Sequence, residues 1–251
     1  MIDLHCHILP GVDDGAENAA VACRMAERAL KSGVHTVVAT PHSNLRGVRP
    51  NFRGPVLNRQ IALFRALLKQ HGLPLKILPG AEVFAHGDNI RPLLEAGRLM
   101  TLNDSRYLLA EFPFGATGQE ITVTLDAIAR RGCVPVVAHP ERYTAVQREP
   151  RLAALWFRRG YIIQVNKGSL LGLLGQSSAD AAQELLRRGF VHVIASDAHD
   201  AHYRTAGFRS LLPLLERCCS PEYIDLLLRV NPERIIRDRE IPLPDSEARE
   251  E

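Results

Sequence analysis

The chain has 251 residues, 46% of them hydrophobic and 24% charged, with a formal charge of +3. That balance belongs to an ordinary soluble globular protein with mass enough for one sizeable core, and its arginines are dispersed rather than blocked, which argues against nucleic-acid binding. No apolar run approaches the roughly 18 residues of a membrane span, and no charged-then-apolar leader opens the chain. Five cysteines without Cys-x-x-Cys spacing read as reduced thiols, so the expectation is a cytoplasmic protein with no membrane insertion and no structural zinc.

The opening stretch runs Met1-Ile-Asp-Leu-His5-Cys-His7-Ile-Leu-Pro-Gly-Val-Asp13-Asp14-Gly15. In an extended segment residues i and i+2 share a face, so His5 and His7 can converge on one ion, and Pro10-Gly11 turns Asp13 and Asp14 back towards them. An amphipathic stripe from Glu17 to Lys31 then predicts a helix, and the β-branched run Thr36 to Thr40 predicts a strand ending at Pro41-His42. A second helix over Pro55 to Gln70 precedes a strand at Lys76 to Leu78, which leads through Pro79-Gly80 to Glu82.

The alternation continues. A short helix over Asn89 to Ala96 is followed by a strand Tyr107 to Ala110 ending at Glu111, then by a helix Gln119 to Arg131 and a strand Val134 to Ala138 ending at His139. A helix around Arg151 to Arg159, a strand Tyr161 to Val165, a helix Ala179 to Arg188 and a strand Val191 to Ala195 ending at Asp197 and His199 complete seven units. Such alternation predicts an α/β fold with a parallel sheet. Ala206 to Val230 reads as helical, a further helix starts at Asn231-Pro232-Glu233, and the charged segment from about Asp238 is expected to fray.

In closed barrels of alternating strand and helix the chemistry sits at the carboxyl ends of the strands. Here His5, His7, His42, Glu82, Glu111, His139, Asp197 and His199 all fall at those ends. His35, His71 and His192 suit structural positions, and His86 and His202 read as loop residues. Imidazole and carboxylate without thiolate suits Mn, Fe or Zn, and so many ligands imply two or three ions, with a carboxylate such as Glu82 bridging a pair. No Cys-x5-Arg loop is present, which excludes a cysteine-dependent phosphatase mechanism.

Seven blocks carry a family resemblance: the opening His5 to Gly15 stretch, Ala39-Thr40-Pro41-His42, Leu78-Pro79-Gly80-Ala81-Glu82, Glu111-Phe112-Pro113, Ala138 to Tyr143, Gln164-Val165-Asn166 with Gly168-Ser169-Leu170, and Ala195 to His199. In these the chain resembles PHP-domain bacterial protein-tyrosine phosphatases of the CpsB/YwqE type. The resemblance implies a distorted seven-stranded (β/α) barrel, the PHP fold, as one phosphoesterase domain over residues 1–237, with 238–251 as a charged tail. It implies a trinuclear centre: His5, His7, Glu82 and Asp197 around one ion, Glu82, Glu111 and His139 around a second, and Asp14, His42 and His199 around a third, with Mn as the first choice of metal and Fe or Zn as the others. Asp13 remains an alternative to Asp14. Arg142 and Arg204 match the phosphate-clamping arginines.

The expected activity is metal-assisted hydrolysis of phosphotyrosine, opposing a bacterial tyrosine kinase in capsule or exopolysaccharide synthesis, with the kinase tail as partner. The competing expectations are a histidinol-phosphate or other small-molecule phosphomonoesterase, and a phosphotyrosine-binding protein without turnover. Departures from the family's commoner pattern lie at Asn44 to Pro55, which is rich in arginine, and at His86-Gly87-Asp88; they bear on substrate preference.

Overall fold

The computed structural model describes residues 1–86 and 89–242. Nine short parallel strands are found among them: β1 Ile2–Cys6, β2 Thr36–Ala39, β3 His42–Ser43, β4 Lys76–Pro79, β5 Glu82–Phe84, β6 Tyr107–Glu111, β7 Val134–Ala138, β8 Ile162–Asn166 and β9 Val193–Ala195. They form two sheets, in the order β1-β2-β4 and β3-β5-β6-β7-β8-β9. Seven strand-forming runs become nine strands because Thr40-Pro41 separates β2 from β3 and Gly80-Ala81 separates β4 from β5. Proline has no N–H to give to a ladder, and a Cβ at Gly80 would stand 2.6 Å from Val38 Cγ1, so both breaks have local causes.

Both faces of these strands are buried, as in a parallel sheet covered by helices. One apolar cluster takes Ile2 and Leu4 of β1, Val38 of β2, Leu78 of β4, Leu109 of β6, Val136 of β7, Ile162 of β8 and Val193 of β9. The alternate residues, such as Val37, Leu108, Val137 and Ile163, pack outwards with the helices. A lone parallel bridge between Cys6 and Ala198 ties β1 to the segment that follows β9.

Helices cover the outside at Ala19–Lys31, Pro55–Gln70, Gly118–Ala129, Arg151–Arg158 and Gln176–Arg187, close to the expected spans. Each buries one stripe; Leu57, Ile61, Phe64 and Leu68 do so in the second. The stretch expected to be helical from Ala206 to Val230 comprises Leu212–Cys218, Pro221–Asp225 and a π-helical turn Leu226–Val230, with a break at Cys219–Ser220. The cause is Ser220, whose hydroxyl accepts from Tyr223 N, with Pro221 opening the next helix. Residues 238–241 are docked rather than frayed: Asp238 accepts from Arg106, the Tyr107 hydroxyl donates to Arg239 O at 2.7 Å, and Ile241 is buried. The rest of the tail, 243–251, lies outside the described residues, as do Gly87 and Asp88. No helix among the described residues is long and apolar enough to cross a membrane.

Candidate metal centre

The loop after β1 sets the first part of the site. His7 N donates to Ala198 O at 2.9 Å and Ala16 N returns to His7 O at 2.9 Å, so the chain folds back on itself within nine residues. Gly15 sits so close to His7 that a Cβ there would be 2.2 Å from its carbonyl oxygen; only glycine permits the return. Inside the loop Asp13 Oδ2 lies 2.7 Å from His7 Nδ1 and accepts from the backbone N of His42 at 2.9 Å, while Gly15 N donates to Oδ1. Asp14 points outward with 61% of its side chain exposed, 3.5 Å from both His42 Nε2 and His199 Nε2.

All nine residues singled out as ligands come together. His5 Nε2 lies 3.2 Å from His7 Nε2, 3.2 Å from Glu82 Oε2 and 3.5 Å from Asp197 Oδ1. His139 Nε2 approaches Glu82 Oε1 at 3.0 Å and Glu111 Oε1 at 3.7 Å. His42 faces two ways, with Nδ1 at 3.1 Å from Glu82 Oε2 and Nε2 towards Asp14. Four overlapping groups of donor atoms result: His7, Asp14, His42 and His199; His5, His139 and Asp197; His5, His7 and Glu82; His42, Glu82 and Glu111.

The chemistry of this donor set fits a cation. Atoms bound to one ion at about 2.1 Å stand roughly 3 to 3.5 Å from one another, which is the spacing seen here. Acceptors fix three of the rings: His5 Nδ1 donates to Gln164 Oε1 at 2.9 Å, His7 Nδ1 to Asp13, and His199 Nδ1 to the Asp197 carbonyl at 3.0 Å. With the proton held on Nδ1, each Nε2 turns a lone pair into the cluster, as a ligating histidine requires. His42 Nδ1, His139 Nδ1 and Glu82 Oε2 are buried without a hydrogen-bond partner, a cost that a cation held by Glu82 removes for its oxygen.

Electrostatics agree. Burial opposes ionisation of Glu82, but His5, His139 and His7 hold its carboxyl well below the usual range, and burial of His5 and His7 is likewise outweighed by neighbouring carboxylates that raise both. Burial, then the charges of Glu82 and Asp197, pushes Glu111 up to about 9. Burial lowers His42, His139 and His199. A pocket that protonates one carboxylic acid to relieve its own negative charge is one that multivalent cations neutralise better.

Backbone geometry aims two of these groups. His139 has φ 33° and Asp197 φ 48°, left-handed conformations that non-glycine residues adopt at a cost and that turn each side chain inward from its strand end.

Arg142 and Arg204 meet at Asp197, whose Oδ2 is 3.5 Å from Arg142 Nη1 and 2.6 Å from Arg204 Nη2. Asn166 Nδ2 also donates to that oxygen at 2.6 Å, so Oδ1 serves the imidazoles and Oδ2 the cationic side chains. The Arg142 guanidinium lies 4.3 Å over the Phe114 ring. Sequence reading missed Gln164 as the His5 acceptor, Asn166 as the Asp197 donor, and Phe114. The first two lie in the stretch Gln164-Val165-Asn166, where no spacing marks them as partners, and a phenylalanine three residues beyond Glu111 carries no signal of its own. His86 and His202 belong to none of the four donor groups.

The sequence profile of the capsular polysaccharide synthesis CpsB/CapC family matches residues 1–237. The tyrosine-protein phosphatase YwqE of Bacillus subtilis is 34% identical over 241 residues, covering 96% of this chain and 93% of that protein. The tyrosine-protein phosphatase CpsB of Streptococcus pneumoniae is 29% identical over 95% of this chain and 99% of its own length. A crystal structure from the study of these two, described as unique metal-dependent tyrosine phosphatases, superposes with a TM-score of 0.87 at 32% identity, covering 97% of each chain. The phosphotriesterase of Mycobacterium tuberculosis shares the fold alone, at a TM-score of 0.55 and 14% identity over 95% of this chain and 94% of that one.

Proposed function

Because the chain belongs to the CpsB/CapC family, we propose that it is a metal-dependent protein-tyrosine phosphatase that hydrolyses phosphotyrosine with a metal-activated water. The observation that carries this reading is the double use of Asp197, which faces the imidazole cluster with Oδ1 and two arginines with Oδ2. Cation donors and phosphate donors are thereby adjacent, as a phosphomonoesterase needs.

His5, His7, Glu82 and Asp197 would hold one ion, Glu82, Glu111 and His139 a second, and Asp14, His42 and His199 a third, with Mn as the expected metal and Fe or Zn as the others. Such ions, when bound, supply Lewis acidity towards the phosphoryl group and acidify water. The chain's own residues do the rest. Arg142 and Arg204 bind phosphoryl oxygens through charge-assisted hydrogen bonds, and Phe114 beneath Arg142 keeps that guanidinium from wandering. Asp13, Gln164 and Asn166 hold His7, His5 and Asp197 in their orientations. A phenol leaves with a pKa of about 10, so the departing oxygen needs little help from a general acid.

On this reading the nine strands are seven staves of one distorted barrel, with β2/β3 and β4/β5 each a single stave interrupted before its ligand. The apolar cluster drawn from β1 through β9 and the Cys6–Ala198 bridge support that closure. The proposal extends to a phosphotyrosine protein as substrate, the tail of a bacterial tyrosine kinase in capsule or exopolysaccharide production, met in the cytoplasm.

Phosphate release from a phosphotyrosine peptide and from histidinol phosphate, each with Mn or chelator, tests the reading on the native chain and on His139→Ala. Peptide turnover that needs metal and falls by at least about 100-fold in the variant is expected. Turnover of histidinol phosphate alone, or peptide binding without phosphate release, would replace it.

A further inference from the structure

Beside Asp197 a cavity of about 150 Å³ opens between Leu173, Leu174, Tyr203, Lys167 and Arg204. Asp197, Arg204, Ser196 and Lys167 supply its polar lining, and Leu173, Leu174 and Tyr203 its apolar walls. Seven large apolar side chains are exposed among the described residues, and three of them stand around the candidate centre: Leu173 at 63%, Tyr203 at 86% and Phe114 at 43%. Phe114 already has a guanidinium on its ring. Leu173 and Tyr203 instead wall the cavity, and neither belongs to the apolar clusters of the core.

The walls are built in advance. The Asp200 carboxylate accepts from the backbone N of His202, Tyr203 and Arg204 at 2.5, 2.6 and 3.1 Å, which wraps the loop around it. Lys167, mostly buried, donates from Nζ to Gly207 O at 2.8 Å and to Thr205 O, pinning the far side of the same loop. On the opposite wall Leu174 rests on Gly168, where a Cβ would stand 3.3 Å from the leucine side chain.

We propose that this cavity receives the aromatic ring of an aryl phosphate, with the phosphoryl group at its Asp197–Arg204 end; the assignment rests on the phosphatase reading above. A volume of about 150 Å³ is large enough to hold a benzene ring, and Leu173, Leu174 and Tyr203 offer it apolar surface. The position also fits the chemistry, because the ring must lie within one bond of an oxygen whose phosphorus faces Arg204. Leu173 and Tyr203 then determine specificity: a planar ring gains their surface, and a short alkyl leaving group does not.

The test compares two competitive probes on the full-length, metal-loaded protein, phenylphosphonate and inorganic phosphate, by inhibition and by calorimetry. Phenylphosphonate is expected to bind the native chain at least about tenfold more tightly than phosphate. The double variant Leu173→Ala with Tyr203→Ala, both at exposed positions that spare the fold, is expected to lose about that tenfold for phenylphosphonate and to leave phosphate within twofold. Equal affinity of the two probes in the native chain would overturn the assignment, as would a loss shared equally by both probes. A loss produced by Phe114→Ala instead would move the ring to the other side of the site. Because calorimetry reads binding without turnover, a protein that binds phenylphosphonate this way but releases no phosphate from phosphotyrosine would sink the phosphatase reading, while turnover without ring preference would sink only the cavity.

Discussion

Asp13 and Asp14 are neighbours in sequence with opposite surroundings. Asp13 is buried against His7 Nδ1 and the His42 backbone, whereas Asp14 reaches out to His42 Nε2 and His199 Nε2. A carboxylate on Nδ1 fixes the tautomer and raises the basicity of Nε2, and loss of such a partner typically weakens metal binding by roughly 10- to 100-fold. Asp13→Ala is therefore expected to lower affinity by that factor without changing how many ions bind, while Asp14→Ala lowers the number. Metal content after equilibrium dialysis distinguishes them, and a stoichiometry reduced by Asp13→Ala alone would reverse the two roles. Sequence reading left this pair open because both residues sit in one turn, and only the direction of each side chain separates a ligand from a residue that orients one.

At the scale of elements, the loop 7–16 is the part of the site with least tolerance. Gly15→Ala would drive a methyl group into the His7 carbonyl, displacing the turn that carries Asp13 and Asp14. Overpacking of this kind costs about 1–3 kcal/mol. Thermal unfolding should show that loss together with weakened metal binding, whereas Gly115→Ala, which meets nothing within 4 Å, should stay within about 0.5 kcal/mol. Equal behaviour of the two variants would remove the steric argument. The C-terminal segment makes a similar claim. Truncation after Arg237 deprives the Tyr107 hydroxyl and Arg106 of partners and uncovers the apolar cluster under Ile241. A loss of about 1–3 kcal/mol is expected by denaturant unfolding, and an unchanged midpoint would show that docking of residues 238–241 contributes nothing.

For the whole molecule, the candidate ligands come from β1, the loop after it, β3, β5, β6, and the turns after β7 and β9, so an ion there ties both sheets together. Metal that binds the folded chain raises its melting temperature by mass action. Chelation is expected to lower that temperature by several degrees, and added Mn to restore it. Proton release gives the sign independently. Without metal, burial and the charges of Glu82 and Asp197 push Glu111 up to about 9, so it is protonated at neutral pH, and neighbouring carboxylates raise His5 and His7 against their burial. Ligands must be deprotonated, so adding Mn to a weakly buffered solution near pH 7 should acidify it. The release should shrink as pH rises through about 9, where Glu111 has already lost its proton. Neither acidification nor a thermal shift on addition of Mn would remove the metal site from this region.

The sequence by itself determined which chemical groups are present and that they stand at strand ends, because strand periodicity and chain breaks such as Pro41, Gly80 and Pro140 are local properties. It also determined the α/β alternation, since each helix stripe and each β-branched run is encoded within a dozen residues. Tertiary structure decided what was next to what. Gln164 reaches His5 across 159 positions, and Asn166 reaches Asp197 across 31. Phe114 comes to lie under Arg142 only because the loops after β6 and β7 are brought together by strand pairing. The break at Ser220 and the docking of residues 238–241 were decided there too: a cap is a matter of geometry at one residue, and a charged tail stays down only when Arg106 and Tyr107 are waiting for it. Composition records such side chains, but the distance between them is set by the pairing of the strands within the two sheets.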